Sequence, residues 1–249
     1  MDKKRIKTEL MVHDLKNPLA VIDAGINSLL FRTEKYGALT EKQLKVLHRA
    51  LRNVKIAKGL VNDILEVGKS SEGIISENNF YIHEFVKISL TEVFDVTDHS
   101  LAEMIRDSGA ISDLKTVLKG KGIVLNMDEG LWSEEICLDI TKLRQILRNL
   151  LSNALKYRIK TVEIEISKDS ESLYISVTDD GEGIKEEYHK KIFECYFQVD
   201  DERDFCVRGH GLGLAGVLIL VEDMGGKMTL ESDEGKGAKF SVLIPLRCR

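Results

Sequence analysis

Leu143-Arg144-Gln145-Ile146-Leu147-Arg148-Asn149-Leu150-Leu151-Ser152-Asn153-Ala154-Leu155-Lys156-Tyr157 carries two helical faces at once. Leu143, Ile146, Leu147, Leu150, Leu151 and Ala154 recur at the period of a helix that buries one stripe. Asn149, Asn153, Lys156 and Tyr157 fall at i, i+4, i+7 and i+8 and make a second, polar face. Amide oxygens are hard ligands that suit Mg²⁺, which keeps most of its waters and binds chiefly together with phosphates; a lysine adds a point charge for those phosphates. The plainer account is that this face is only the wet side of a packed helix.

Downstream, Leu173-Tyr174-Ile175-Ser176-Val177-Thr178 alternates as a strand does and runs into Asp179-Asp180-Gly181-Glu182-Gly183-Ile184. Asp and Gly are common in tight turns. Two glycines at this spacing also let a flat ring approach the backbone, and a carboxylate at a strand end accepts from an exocyclic amine. Gly209-His210-Gly211-Leu212-Gly213-Leu214 then precedes the apolar run Ala215 to Val221, and glycines that open a helix present N–H groups and the positive dipole end to phosphates. This is not the dinucleotide fingerprint, which follows a strand near the start of a βαβ unit.

Near the N-terminus, His13-Asp14-Leu15-Lys16-Asn17-Pro18-Leu19 places a histidine just ahead of one of the chain's two prolines. Proline inside a helix costs roughly 3 kcal/mol and frees the carbonyl four residues back, that of Asp14. His13 and Asn17 share a helix face, and Asp14 lies at the shoulder of His13. An imidazole is nucleophilic near neutral pH, and a neighbouring carboxylate takes or holds its other proton. A lone helical histidine is more often solvated or packed, so the segment gains meaning from the constellation after it.

In order, these pieces resemble the catalytic core of a two-component sensor histidine kinase over nearly the whole chain. His13 to Leu19 resembles the phosphoacceptor box, Asn149 to Tyr157 the asparagine box, and Asp179 to Ile184 the first glycine box. Ile192-Phe193-Glu194-Cys195-Tyr196-Phe197-Gln198 resembles the phenylalanine box, Gly209 to Leu214 the second glycine box, and Ser232 to Val242 the final hairpin. Cys195 replaces the usual proline, His210 the usual threonine, Asp14 the commoner glutamate and Asn17 the commoner threonine. None of these departures removes a backbone donor from the glycine loops.

The resemblance implies ATP and Mg²⁺ as cofactors and a set of roles. Asp179 reads adenine, Asn153 holds the metal, Asn149 and Lys156 contact phosphates, and Tyr157 lines the site. Gly181, Gly183, Gly209, Gly211, Leu212 and Gly213 shape the pocket and its lid. Apart from the resemblance, Arg208 stands directly before the glycines and beside the charged stretch Asp200 to Asp204, where it either reaches the γ-phosphate or is a solvated loop arginine. His13 receives the phosphoryl group with Asp14 as general base or orienting group. The group then passes to an aspartate of a response regulator receiver domain, and Asn17 supports removal of phosphate from that regulator. Two alternatives are an ATPase of the gyrase, Hsp90 and MutL group, opposed by Lys156 and the His13 hairpin, and a non-catalytic dimeric scaffold, opposed by the intact boxes.

The organisation divides near residue 70. Residues 1–69 read as a dimerisation and phosphotransfer hairpin, 70–79 as a polar linker and 80–249 as the ATP-binding domain. Thr40-Glu41-Lys42-Gln43 is a capping box ahead of Leu44, Leu47, Leu51, Val54, Val61, Ile64 and Leu65 near heptad spacing. One hairpin cannot cover both its apolar faces, so the expectation is a homodimer with a four-helix bundle. The second domain alternates helices and strands as an α+β sandwich of helices on one face of a mixed sheet, of the Bergerat type. Residues Phe94 to Gly120 exceed what the family carries there and read as a solvent-facing insertion, with a partner-specific contact as the sharper alternative.

A 249-residue chain with 43% hydrophobic and 31% charged residues reads as one large or two small soluble domains, and a net charge of −5 argues against nucleic acid as the main partner. Cys137, Cys195, Cys206 and Cys248 have neither metal-ligand spacing nor framework density, so free cytoplasmic thiols are expected. No run approaches the ~20 apolar residues that span a bilayer, and no signal peptide opens the chain. Only twelve residues precede His13, so the chain reads as a piece of a longer protein that carries the sensor.

Overall fold

The computed structural model describes residues 3–70, 76–95, 97–194 and 213–246, and for 3–13, 52, 55, 56, 60 and 62–70 the backbone alone. The chain forms two compact units that divide between Glu72 and Gly73.

The first unit is a helical hairpin. α1 (Lys3–Phe31) runs unbroken through Pro18, the short α2 (Thr33–Tyr36) follows, and α3 (Glu41–Ser70) returns. The chain leaves α2 through Gly37 at φ +83, where the left-handed backbone favours glycine. Thr40 then starts α3 by the expected reciprocal cap. Its N–H donates to Gln43 Oε1 at 2.8 Å, and its hydroxyl oxygen accepts from Gln43 N–H at 3.3 Å. Between the long helices Ile26, Val54 and Val61 are buried, and a partly buried ion pair joins Asp23 to Lys58 at 2.5 Å. Leu15, Val21, Ile22, Phe31 and Val46 stay exposed, Val21 by 72%.

The second unit is built on a five-stranded sheet in the order β2-β4-β5-β7-β6. Its elements are β1 (Asn78–Tyr81), α4 (Ile82–Phe94), α5 (His99–Asp107), α6 (Ile111–Lys119), β2 (Ile123–Met127), α7 (Glu129–Trp132), β3 (Glu135–Leu138), α8 (Ile140–Tyr157), β4 (Val162–Lys168), β5 (Ser172–Asp179), α9 (Gly213–Asp223), β6 (Lys227–Ser232) and β7 (Ala238–Pro245). The β2–β4 pair is parallel and the others are antiparallel, so the sheet is mixed. Strict alternation in β2 and β4 buries Ile123, Leu125, Met127, Val162, Ile164 and Ile166, which join residues of α4, α8 and α9 in a continuous core.

α8 shows why that core places a site. Asp139 caps it by accepting from the N–H groups of Thr141 and Lys142, both at 3.1 Å. The six apolar residues read from its period are all buried, which turns Asn149 and Asn153 toward the opposite, half-buried side.

Two readings need correction. Strand β1 takes Asn78 and Asn79 out of the segment read as linker and pairs them with Leu138 and Cys137. Residues 94–120 are not a solvent-facing appendage. Leu101, Ala102 and Ile105 of α5 and Ile111, Leu114 and Leu118 of α6 are buried in the same core as the sheet. Their three- and four-residue spacing gives each short helix one apolar stripe, while its polar remainder gives the stretch the look of a loop.

Candidate functional site

Three segments of the second unit meet where α8 ends and β5 ends. On α8, Asn149, Asn153 and Lys156 are half-buried, and among the described residues neither asparagine side chain has a hydrogen-bond partner. Lys156 Nζ lies 4.5 Å from the centre of the Tyr157 ring and donates to its hydroxyl at 2.8 Å, while Tyr157 itself is exposed.

Asp179 ends β5 with 7% of its surface accessible. Its carboxylate accepts from the backbone N–H groups of Gly181, at 2.9 Å, and Ala238. Burial outweighs those donors, and the neighbouring Asp180 charge adds to it, so the Asp179 pKa is raised above the ordinary carboxylate value. A buried acid ends a strand next to the end of a helix that carries a half-buried amide and ammonium face, a polar arrangement with apolar support of the kind small-ligand sites have.

The glycines of this region serve backbone packing. A Cβ on Gly181 would lie 2.3 Å from the Tyr157 carbonyl oxygen, so the missing side chain is what allows the end of β5 to rest against the end of α8. Gly183, at φ +72, would place a Cβ 1.9 Å from the Asp233 carbonyl oxygen, and Gly237, at φ +77, the same distance from that of Asp179. The turn between β6 and β7 is stitched to the Asp179–Ile184 loop. Gly235 N–H donates to the Glu182 carbonyl at 2.6 Å, and Ser232 Oγ accepts from Ile184 N–H at 2.8 Å while donating to the Gly237 carbonyl at 2.7 Å. At Gly181 and Gly183 the side on which a Cβ would project faces protein carbonyls.

Asp179, Gly181, Lys156 and Tyr157 are thus brought together. Of the phenylalanine box, Phe193 packs edge-on to Phe240 at 6.5 Å between ring centres, and residues 195–198 lie outside the described residues, as do Arg208, Gly209, Gly211 and Leu212. Gly213 is the first residue of α9 and has open space where its Cβ would be. In the hairpin, Asp14 and Asn17 are exposed on α1, and His13 lies in that helix with its side chain outside the described set. Sequence reasoning did not single out Asp180, Ser232 or Gly237. Their contacts with Ile159 to Thr161, with Ile184 and with Asp179 join segments remote in sequence.

Comparisons with known proteins agree with this geometry. Residues 8–73 match the family model described as His Kinase A (phospho-acceptor) domain, and residues 138–247 match that described as histidine kinase-, DNA gyrase B-, and HSP90-like ATPase. The chain is 28% identical to the sensor histidine kinase WalK of Bacillus subtilis, covering 99% of this chain and 38% of that protein. It is 31% identical to the aerobic respiration control sensor protein ArcB of Escherichia coli, covering 93% and 27% respectively. The chain therefore spans about a quarter to two fifths of these relatives. Among solved structures, full-length ShkA in complex with AMPPNP aligns with a TM-score of 0.66 at 23% identity, over 96% of this chain and 45% of that one, a likeness of fold.

Proposed function

The chain belongs to the sensor histidine kinases, and from that membership we propose that it transfers the γ-phosphoryl group of ATP to His13 and onward to an aspartate of a response regulator. The observation that carries the proposal is the junction of α8 and β5, where the buried carboxyl of Asp179 and the Lys156–Tyr157 pair are held together by contact between Gly181 and the Tyr157 carbonyl. Asp179 supplies the acceptor for the exocyclic amine of adenine, and Lys156 leaves the Tyr157 ring to meet phosphate oxygens. The half-buried amides of Asn149 and Asn153 fit hard-cation chemistry, with Asn153 as the side chain that would hold Mg²⁺. When bound, Mg²⁺ neutralises charge on the phosphates.

In the transfer, the bond from the γ-phosphorus to the bridging oxygen breaks, ADP leaves, and a bond from phosphorus to an imidazole nitrogen of His13 forms. Positioning and electrostatic stabilisation are the main needs of such a step. Asp14, exposed beside His13 on α1, takes or holds the proton on the other ring nitrogen. The exposed apolar residues of the hairpin fit a second copy, giving a homodimeric four-helix bundle. Asn17, one turn beyond His13, is proposed to position a water against the aspartyl phosphate of the docked regulator.

The test is incubation of the chain with labelled ATP and Mg²⁺. Acid-labile, base-stable label that disappears in His13→Gln is the expected result, and label that persists in that variant excludes His13 as acceptor. An unlabelled wild type that binds no ATP excludes the assignment as a whole.

A further inference from the structure

We propose that Asp180 is a positioning residue of the nucleotide site, fixing the spacing between the Asp179 carboxyl at one end and the Lys156–Tyr157 pair at the other. Its carboxylate accepts from three consecutive backbone N–H groups, those of Ile159 at 2.9 Å, Lys160 at 3.0 Å and Thr161 at 3.0 Å, with a second contact from Lys160 to the other oxygen at 3.1 Å. An aspartate in a turn ordinarily bonds its own backbone two residues on. Here the donors are 19 to 21 residues away, in the loop through which the chain leaves α8 directly after Tyr157. Asp180 N–H reaches back to the Thr161 carbonyl at 3.4 Å, so the two segments are bonded in both directions.

The neighbours of Asp180 are what make this clamp bear on the site. Asp179 precedes it, and Gly181 follows with its backbone against the Tyr157 carbonyl. One side chain thus ties the strand end that holds the buried acid to the helix end that holds the ammonium. The N–H donors of Lys160 and Thr161 pull the Asp180 pKa far below the usual carboxylate range, so the clamp is charged at every working pH. The same loop is gripped from its other side by the turn between α6 and β2. Val162 N–H donates to the Gly122 carbonyl at 2.9 Å, Arg158 Nη1 donates to the Lys121 carbonyl at 3.0 Å, and a Cβ on Gly122 would sit 2.5 Å from the Lys160 carbonyl oxygen. Residues 158–161 are pinned between two fixed walls, and Asp180 is the charged side of that grip.

This inference rests on the reading of the site as one for ATP, and its test keeps the two apart. The full 249-residue chain is titrated by calorimetry with Mg·ADP, which spans both ends of the site, and with adenosine, which reaches only the Asp179 end. Asp180→Ala is expected to lose roughly tenfold in ADP affinity and less than about twofold in adenosine affinity, because only a ligand that bridges the ends senses their spacing. Asp180→Asn, which keeps one acceptor oxygen, is expected to stay within about threefold of the wild type for both. Autophosphorylation by Asp180→Ala should show a raised KM for ATP with kcat changed less. Equal losses for ADP and adenosine, or none, overturn the positioning role while leaving the ATP reading intact. A wild type that binds neither ligand overturns the ATP reading itself. If Asp180→Ala does not fold, Asp180→Ser carries the same comparison, and failure of Asp180→Asn to rescue then counts against the proposal.

Discussion

The hairpin and the α/β unit solve the burial problem in opposite ways. The α/β unit hides a continuous core from Phe80 to Ile244 and leaves its polar site at the seam between two secondary-structure ends. Among the described residues, the hairpin buries Ile26, Val54 and Val61 but leaves Val21 and Phe31 more than 70% exposed. A helical pair with apolar side chains outside as well as in its seam is an incomplete object, since helices gain most of their stability from packing. On the proposed function, the nucleotide unit carries its own core, and the hairpin that carries His13 offers apolar surface for a second copy.

The comparison predicts that damage to the α/β unit stays there. Gly183→Ala forces an alanine into a left-handed backbone with its Cβ against the Asp233 carbonyl, a conflict with backbone atoms that no side-chain rotation relieves. A loss of about 3 kcal/mol or more in the stability of the α/β unit is expected, with nucleotide binding lost and the helical dimer retained. Calorimetric melting with sedimentation checks this; simultaneous loss of dimer and site would show that the two units do not stand apart.

The converse experiment strikes the hairpin. Ile22 is 48% exposed on α1, seven residues from the exposed Leu15, the spacing of one apolar seam. Ile22→Asp should weaken the proposed dimer at least tenfold, since a buried apolar side chain contributes roughly 1.5–3 kcal/mol and a carboxylate would have to be desolvated as well. ADP binding should not change. A dimer of unaltered affinity would remove Ile22 from the interface.

Much of this division is legible in the chain. The stripe of α8 could be read because its period and its length agree. The segment 94–120 was misread for a physical reason. Its two helices are only nine residues each, and short stripes such as Leu101, Ala102 and Ile105 are hard to separate from loop composition without knowing what they pack against. At the site, the Asp179 carboxyl and the Lys156 ammonium were proposed from the sequence alone, since their chemistry is intrinsic to the side chain. Asp180, Ser232 and Gly237 were not, since their roles consist of contacts with backbone atoms that only the fold brings near.

A smaller effect sharpens what Asp179 costs the α/β unit. Burial raises its pKa, so between the unfolded and folded values the folded protein holds more protons than the unfolded chain. This contribution is absent below the unfolded value, lowers stability as pH rises through the folded value, and stays in place at neutral pH. Asp179→Asn keeps an oxygen that can accept from Gly181 N–H and removes the charge, so at pH 7 the ligand-free variant should melt higher than the wild type while binding ATP more weakly. The advantage should vanish at pH below the unfolded carboxylate value. A variant that melts lower at pH 7 would mean that the backbone donors, and not burial, decide the state of this acid.

The smallest effect concerns the Asp23–Lys58 ion pair of the hairpin. Lys58 donates to Asp23 Oδ2 at 2.5 Å, and Asn27 donates to Asp23 Oδ1 at 3.1 Å, so the carboxylate keeps a partner when the lysine is removed. Both ends of the pair are about a quarter to a third exposed, which places the pair between a surface bridge worth little and a buried one whose desolvation cancels its attraction. A double-mutant cycle of Asp23→Asn and Lys58→Met should therefore give a coupling of only about 0.5–1 kcal/mol. The pair can still matter for alignment, because it joins residues 35 apart in sequence, one on each long helix, at one fixed register, where an apolar seam alone tolerates sliding. If so, the double variant should melt near the wild type yet label His13 more slowly, as small shifts along the hairpin misplace the acceptor. Unchanged labelling would reduce the pair to a marginal contribution to stability, and the register of the hairpin would then rest on Ile26, Val54 and Val61.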